Sequence, residues 1–326
     1  MPNAREALSG RSSRSANDKP GGSALRDGKP AGYAYALLAT ALWSGNMLVA
    51  RAFKGEIPPV ALATLRWLLA TAAFAPFALH SLVRERKALR GALLHVAATG
   101  LLGVALFTTL VYVAGRTTAA LNLGLISITF PIFIMVFSRF LFGERIPARR
   151  VAGLAVVIAG VVLLLADGKP AALLSLSFAP GDLVMLLASV VFAAYSILVR
   201  LRPKTLGLTT FQFASFAAGL AFLAPAFAVE RLFSPPLELD WKIAGAVAYV
   251  GLGASLAAFL AWNRAIELVG ATKAGLVYYS LPVFSGFTAW AFLGERVGAA
   301  HVASGVLVLA GILLATRDAR SRPPSG

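Results

Sequence analysis

Ten long apolar runs fix the environment this chain needs. They are Tyr33–Ala50, Pro58–Leu79, Gly91–Val113, Thr117–Leu141, Val151–Ala166, Gly181–Val199, Thr209–Val229, Trp241–Ala261, Ala271–Leu293 and Gly298–Thr316. A helix crosses the hydrocarbon of a bilayer with about 20 mostly apolar residues. The runs are continuous and rich in Ala and Leu rather than alternating, which favours helices over barrel strands. Composition agrees: 58% of the residues are hydrophobic and only 13% charged, whereas soluble domains sit near 45–50% and about 25%. The expected fold is an all-α polytopic membrane protein with ten transmembrane helices.

The basic residues fall between the runs. With the N-terminus inside, 22 Lys and Arg lie in inner segments, 7 in outer loops, and Arg66 lies within the second run. That bias orients the chain with both termini cytosolic in the cell inner membrane. The net charge of +16 therefore reflects inner loops, and no nucleic-acid partner is expected. Residues 1–32 are rich in Ser, Gly, Pro and Arg and read as a disordered cytosolic tail; residues 317–326 form a second cytosolic tail. Ala50-Arg51-Ala52 resembles a cleavage site, but the run before it has a counterpart later in the chain, so it reads as a span.

That counterpart belongs to an internal repeat. Gly124, Pro131, Gly143-Glu144-Arg145 and Gly160 recur 151 positions later as Gly275, Pro282, Gly294-Glu295-Arg296 and Gly311. Gly103 and Tyr112 pair with Gly253 and Trp262 at an offset of 150, and Trp43, Asn46 and Arg51 with Phe192, Tyr195 and Arg200 at 149. The organisation is a first five-helix repeat at 33–166, an outer linker at 167–180 and a second five-helix repeat at 181–316. An odd number of spans turns the second repeat upside down. Inverted repeats of this kind place a substrate site near the bilayer midplane, between the repeats.

The ordered set of motifs resembles the drug/metabolite transporter superfamily, and within it the ten-helix EamA-like exporters. The resemblance rests on Trp43-Ser44-Gly45-Asn46, Arg66-Trp67 and the two blocks in which Pro precedes Gly-Glu-Arg, and it covers about residues 33–316. It implies a basket of ten helices around a central cavity, and export of amino acids or related small metabolites.

Candidate wall residues come from matched positions of the two repeats or from the proline-bearing ninth run. Trp43, Asn46, Tyr195, Tyr278 and Tyr279 combine aromatic faces with neutral hydrogen-bonding groups, which suits an amphipathic organic solute. Pro131 and Pro282 read as mid-span kinks that free backbone groups, for gating or for packing alone. Tyr112, Trp241, Trp262 and Trp290 read first as interfacial belt or packing residues. Arg66 reads first as a structural anchor and second as a substrate contact. The small residues Gly153, Gly160, Gly305 and Gly311 read as close-packing positions. No Asp or Glu lies well inside a span, which argues against a carboxylate proton relay. His95 is the remaining candidate relay, against a simple interhelical hydrogen bond.

Metal and enzyme chemistry find little support. There are no cysteines and three histidines, no H-E-x-x-H and no phosphate loop. The reading is a secondary transporter without cofactor or metal, working as a monomer or homodimer on a small-molecule substrate in the lipid bilayer. The alternatives are a translocator of lipid-linked or lipid-like substrates and, behind it, an intramembrane enzyme.

Overall fold

The computed structural model describes residues 21–53, 55–117, 123, 126–165, 180–237, 240–281, 283–284 and 299–316, and among these it is helical with no strand. Every predicted apolar run carries a helix. These are α1 (Gly21–Ala52), α2 (Pro59–Arg84), α3 (Leu93–Thr117), α4 (Phe130–Phe142), α5 (Ala148–Leu165), α6 (Pro180–Arg200), α7 (Leu208–Phe233), α8 (Trp241–Val269), α9 (Ala271–Tyr278) and α10 (Ala299–Thr316). A short helix, Arg86–Gly91, links α2 to α3. Five of the helices, α2, α3, α6, α7 and α8, are long and apolar enough to cross a bilayer. The molecule is a multi-pass, all-α membrane protein.

Two boundaries differ from expectation. Helix α1 begins at Gly21, so residues 21–32 are helical rather than part of an unstructured tail. The segment Ser23-Ala24-Leu25-Arg26 consists largely of good helix formers, and Pro30 is accommodated inside the helix. Pro131 is not a mid-helix residue either. The fourth span breaks at a turn over Ile128 and Thr129, and α4 starts at Phe130, which leaves Pro131 in its first turn. A proline there loses no intrahelical hydrogen bond. The ninth span breaks at the corresponding place, with α9 ending at Tyr278 and a turn over Tyr279 and Ser280. Pro282 lies outside the described residues.

The packing has the reciprocity that an inverted repeat requires. Helix α1 packs on α8 and α9, as α6 packs on α3 and α4; α2 packs on α7 and α8, as α7 packs on α2 and α3. The crossings match at atomic level. A Cβ on Gly100 of α3 would stand 2.4 Å from the Ser215 carbonyl oxygen of α7, and a Cβ on Gly251 of α8 would stand 3.1 Å from the Arg66 carbonyl oxygen of α2. Each glycine lets two backbones approach at equivalent crossings. Both α3 and α8 also carry a π-helical stretch, Leu101–Leu106 and Tyr249–Ala257, that follows the glycine or includes it. The helix ends are tied reciprocally too. Glu230, near the end of α7, accepts the amides of Val60 and Ala61 at the start of α2 (2.9 and 2.6 Å). Glu85, just past the end of α2, accepts the amide of Gly207 at the start of α7 (2.8 Å). Each carboxylate supplies an acceptor to free amides at a helix N-terminus. Helices α5 and α10 pair closely: a Cβ on Gly153 would fall 2.7 Å from the Gly311 carbonyl oxygen.

Candidate functional site

Where the two repeats meet, aromatic side chains converge on Trp43 of α1. Its ring lies 5.4 Å from Phe192, 5.6 Å from Phe259, 5.3 Å from Trp262 and 6.1 Å from Tyr278. Phe130 closes the group, 4.1 Å from Tyr278 and 4.9 Å from Phe192. These distances fall in the range where aromatic pairs add about 0.5–1.5 kcal/mol each beyond burial. The Trp43 indole N–H donates to the Ala254 carbonyl (2.9 Å), which fixes the ring. That carbonyl belongs to the π-helical stretch of α8.

Arg66 enters the same pocket from α2. It is 1% exposed, roughly 10 Å along its helix at 1.5 Å per residue. Its Nε donates to Ser255 Oγ (2.5 Å), and its Nη1 donates to Asn46 Oδ1 (3.0 Å) and to the Tyr112 hydroxyl (2.5 Å). The Tyr112 hydroxyl in turn donates to Asn46 Oδ1 (2.9 Å). Ser255 sits in the π-helical stretch and donates to the Val250 carbonyl five residues back (2.7 Å). A cation at mid-membrane costs about 2.5–3.5 kcal/mol on insertion scales, and here neutral oxygens from three helices offset it. The void between Arg66, Asn46, Trp43, Phe107, Phe130 and Tyr278 measures about 10 Å³, room for about one water.

A second polar pair lies at the corresponding place in the other repeat. The Tyr195 hydroxyl of α6 donates to Asn263 Oδ1 of α8 (2.7 Å), and both residues are buried. Tyr195 is the repeat partner of Asn46, and Asn263 lies 151 positions after Tyr112. The two hydrogen bonds are therefore equivalent, with the tyrosine and asparagine exchanged between helices. Their surroundings differ. Asn263 also borders a vestibule of about 650 Å³ lined by Arg145, Arg150, Arg200, Arg202, Lys204 and Lys273 against Glu144 and Glu267. Ion pairs organise its wall: Arg200 with Glu144, and both Arg202 and Arg264 with Glu267. Thr272 donates to Glu144 (3.2 Å), and Arg200 stacks 3.9 Å from the Phe142 ring. A volume of this size is typical of ligand pockets.

The structure brings Trp43, Asn46 and Tyr278 together around the void and places Tyr195 at the vestibule end of the aromatic group, 5.4 Å from Phe192. Tyr278 is hydrogen-bonded to Ser127. Tyr279 lies elsewhere, buried with Ile128, Val157, Leu276 and Ala315. Neighbouring residues on a helical path point about 100° apart, so only one of the two tyrosines can face the pocket. His95 Nε2 is 2.9 Å from the Leu198 carbonyl oxygen and its ring lies beside Phe211, and His95 lines neither cavity.

Of the residues read as belt or packing, Tyr112 and Trp262 are 3% and 0% exposed and pack inside the protein. Trp241, by contrast, is 80% exposed. Trp290 lies outside the described residues. Asn263 and Ser255 were not anticipated. The signal for Asn263 was its offset from Tyr112, hidden because the best alignment of these helices pairs Tyr112 with Trp262. Among the described residues no cluster of His, Asp or Glu could hold a metal ion.

Comparison with known proteins agrees with this architecture. The chain is similar to an uncharacterized transporter of Archaeoglobus fulgidus, 26% identical over 278 residues, which is 84% of this chain and 93% of that one. It is also similar to the aromatic amino acid exporter YddG of Ancylobacter novellus, 28% identical over 165 residues, 50% of this chain and 55% of that one. A solved crystal structure superposes with a TM-score of 0.71 at 24% identity, covering 89% of this chain and 96% of the other, which supports the fold. The EamA-like transporter family model matches twice, at residues 30–166 and 179–317, one match per repeat. With both halves matched, the chain belongs to the EamA-like transporter family.

Proposed function

We propose that this protein is a secondary transporter rather than an enzyme. It exports small amphipathic metabolites, most simply amino acids or close relatives, from the cytosol across the inner membrane by alternating access. The observation that carries this reading is the pair of equivalent hydrogen bonds, Asn46 with Tyr112 and Tyr195 with Asn263, flanking one aromatic pocket. In inverted repeats, equivalent contacts lie on opposite sides of the midplane. Opening one while the other holds would expose the pocket to one side at a time. The vestibule beside Asn263 gathers the basic loops that the charge bias assigns to the cytosol, so entry is from that side. Both termini then lie in the cytosol. The similarity to an aromatic amino acid exporter supports the substrate class.

The test is efflux from liposomes holding purified protein and a panel of labelled amino acids. The account expects gradient-driven flux of at least one amphipathic amino acid. It also expects flux to continue when the pH gradient is collapsed, since the Asp and Glu residues of the spans lie near their ends rather than well inside them. Strict dependence on the pH gradient would contradict the coupling and make His95 the first relay candidate.

A further inference from the structure

Arg66 is buried beside the aromatic group and the void, and its positive charge meets no carboxylate among the described residues. Ion pairs elsewhere include Arg84 with Glu85, Arg200 with Glu144, and Arg202 and Arg264 with Glu267. Among the described residues, Arg66 is held by the neutral oxygens of Asn46, Tyr112 and Ser255. Those bonds engage Nε and Nη1, whereas a guanidinium presents five N–H groups in a fork that matches an oxyanion.

The repeat supplies a control. The backbone crossing of α2 on α8 at Arg66 is matched by that of α7 on α3 at Ser215, and there a neutral serine is enough. Holding two helices together at this crossing therefore does not call for a cation. Asn46 and Tyr112 make their hydrogen bond while both also accept from Arg66, whereas Tyr195 and Asn263 make the equivalent one with no arginine among the described residues bonded to either.

We propose that Arg66 binds an acidic group of the transported solute, so that the substrates are carboxylates with an apolar or aromatic body, and amines or esters lacking a free acid are rejected. This rests on the exporter reading above. Binding would exchange Asn46 and the Tyr112 hydroxyl, two neutral acceptors, for a carboxylate making charge-assisted bonds to the same fork. The apolar part would lie against Trp43 and Phe130. The basic vestibule favours the same sign of charge along the approach.

The experiment compares phenylalanine, leucine and threonine with their methyl esters, as competitors of counterflow in liposomes and as thermal stabilisers of the purified protein. The proposal expects at least one acid to bind, with its ester at least tenfold weaker. It expects Arg66→Gln to abolish that preference and Arg66→Lys, a point charge without the fork, to keep part of it. Equal binding of acid and ester by the natural protein overturns the proposal and leaves the exporter reading standing. So does a folded Arg66→Gln variant that still prefers the acid. If no acid and no ester is bound or carried, the proposal and the amino-acid reading fall together. Should Arg66→Gln not fold, the acid-to-ester ratio of the natural protein decides.

Discussion

The two repeats build the same hydrogen bond in different settings. In the first, Asn46 and Tyr112 surround a buried guanidinium beside a void that holds about one water. In the second, Tyr195 and Asn263 stand between the aromatic group and an open basic vestibule. A symmetric scaffold thus carries an asymmetric load. The backbone crossings, the reciprocal glutamate caps and the paired π-helical stretches are shared; the cation is not. What the repeats share positions the helices, and what they do not share is where we propose that recognition lies.

If the dry setting makes the first contact dearer, equivalent changes should differ in size. Asn46→Ala removes an acceptor from a buried cation and should lower stability by about 2–3 kcal/mol, because an unsatisfied charged group costs more than a neutral one. Asn263→Ala leaves the Tyr195 hydroxyl at the edge of the vestibule and should cost about 1 kcal/mol. Thermal unfolding of the purified variants in detergent measures both. Equal losses would mean that the two settings do not differ as described.

Tyr112→Phe and Tyr195→Phe should separate by function instead. Loss of the Tyr195 hydroxyl frees Asn263 and loosens the barrier between vestibule and pocket. Exchange of substrate across that side should then speed up at little cost in abundance. Tyr112→Phe removes a hydroxyl that a bound carboxylate would displace from Arg66, and should lower the half-saturation concentration of an acidic solute by up to about tenfold, or roughly 1.4 kcal/mol. Initial rates and half-saturation in liposomes distinguish the two outcomes, and identical phenotypes would count against separate roles.

Smaller effects belong to the vestibule and the loops. Arg150→Gln or Lys204→Gln should raise the half-saturation concentration of an acidic solute two- to threefold at low salt, and less at high salt as screening shortens the reach of charge. An unchanged salt response would remove the vestibule from the approach path. Glu85 gives the smallest effect. Burial pushes its carboxyl up, but the Gly207 amide and Arg84 outweigh this and hold it below the ordinary carboxylate value. Its contribution to stability is therefore present above that value and is lost as pH falls through the lowered one. Glu85→Gln should remove that part of the acid sensitivity and change little near neutral pH.

Much of the scaffold was legible in sequence, because bilayer thickness and an internal repeat leave few choices. The site was legible in part. Trp43, Asn46 and Tyr278, three of the candidate wall residues, line the void. Tyr279 could not be separated from Tyr278 without knowing where the ninth helix breaks. Tyr112 and Trp262 look like span ends in a linear reading, whereas each helix of one repeat is covered by helices of the other. Asn263 and Ser255 were hidden by the π-helical stretches of α3 and α8. These turn the later residues relative to a regular helix, so counting by 3.6 misplaces their faces. Arg66 was visible, but its lack of a carboxylate partner among the described residues is a tertiary fact.

The central claim is that the two halves lie in opposite orientations, so that their equivalent contacts face opposite sides of the membrane. The chain has no cysteine, so single cysteines report cleanly. Ala148 follows the first Gly-Glu-Arg block and Gly298 follows the second. Cysteines placed there one at a time, in sealed vesicles of known orientation, can be challenged with an impermeant thiol reagent. The account predicts labelling of Ala148→Cys from the cytosolic side and of Gly298→Cys from the outer side. Labelling of both from the same side would contradict the inverted repeat and, with it, the paired gates.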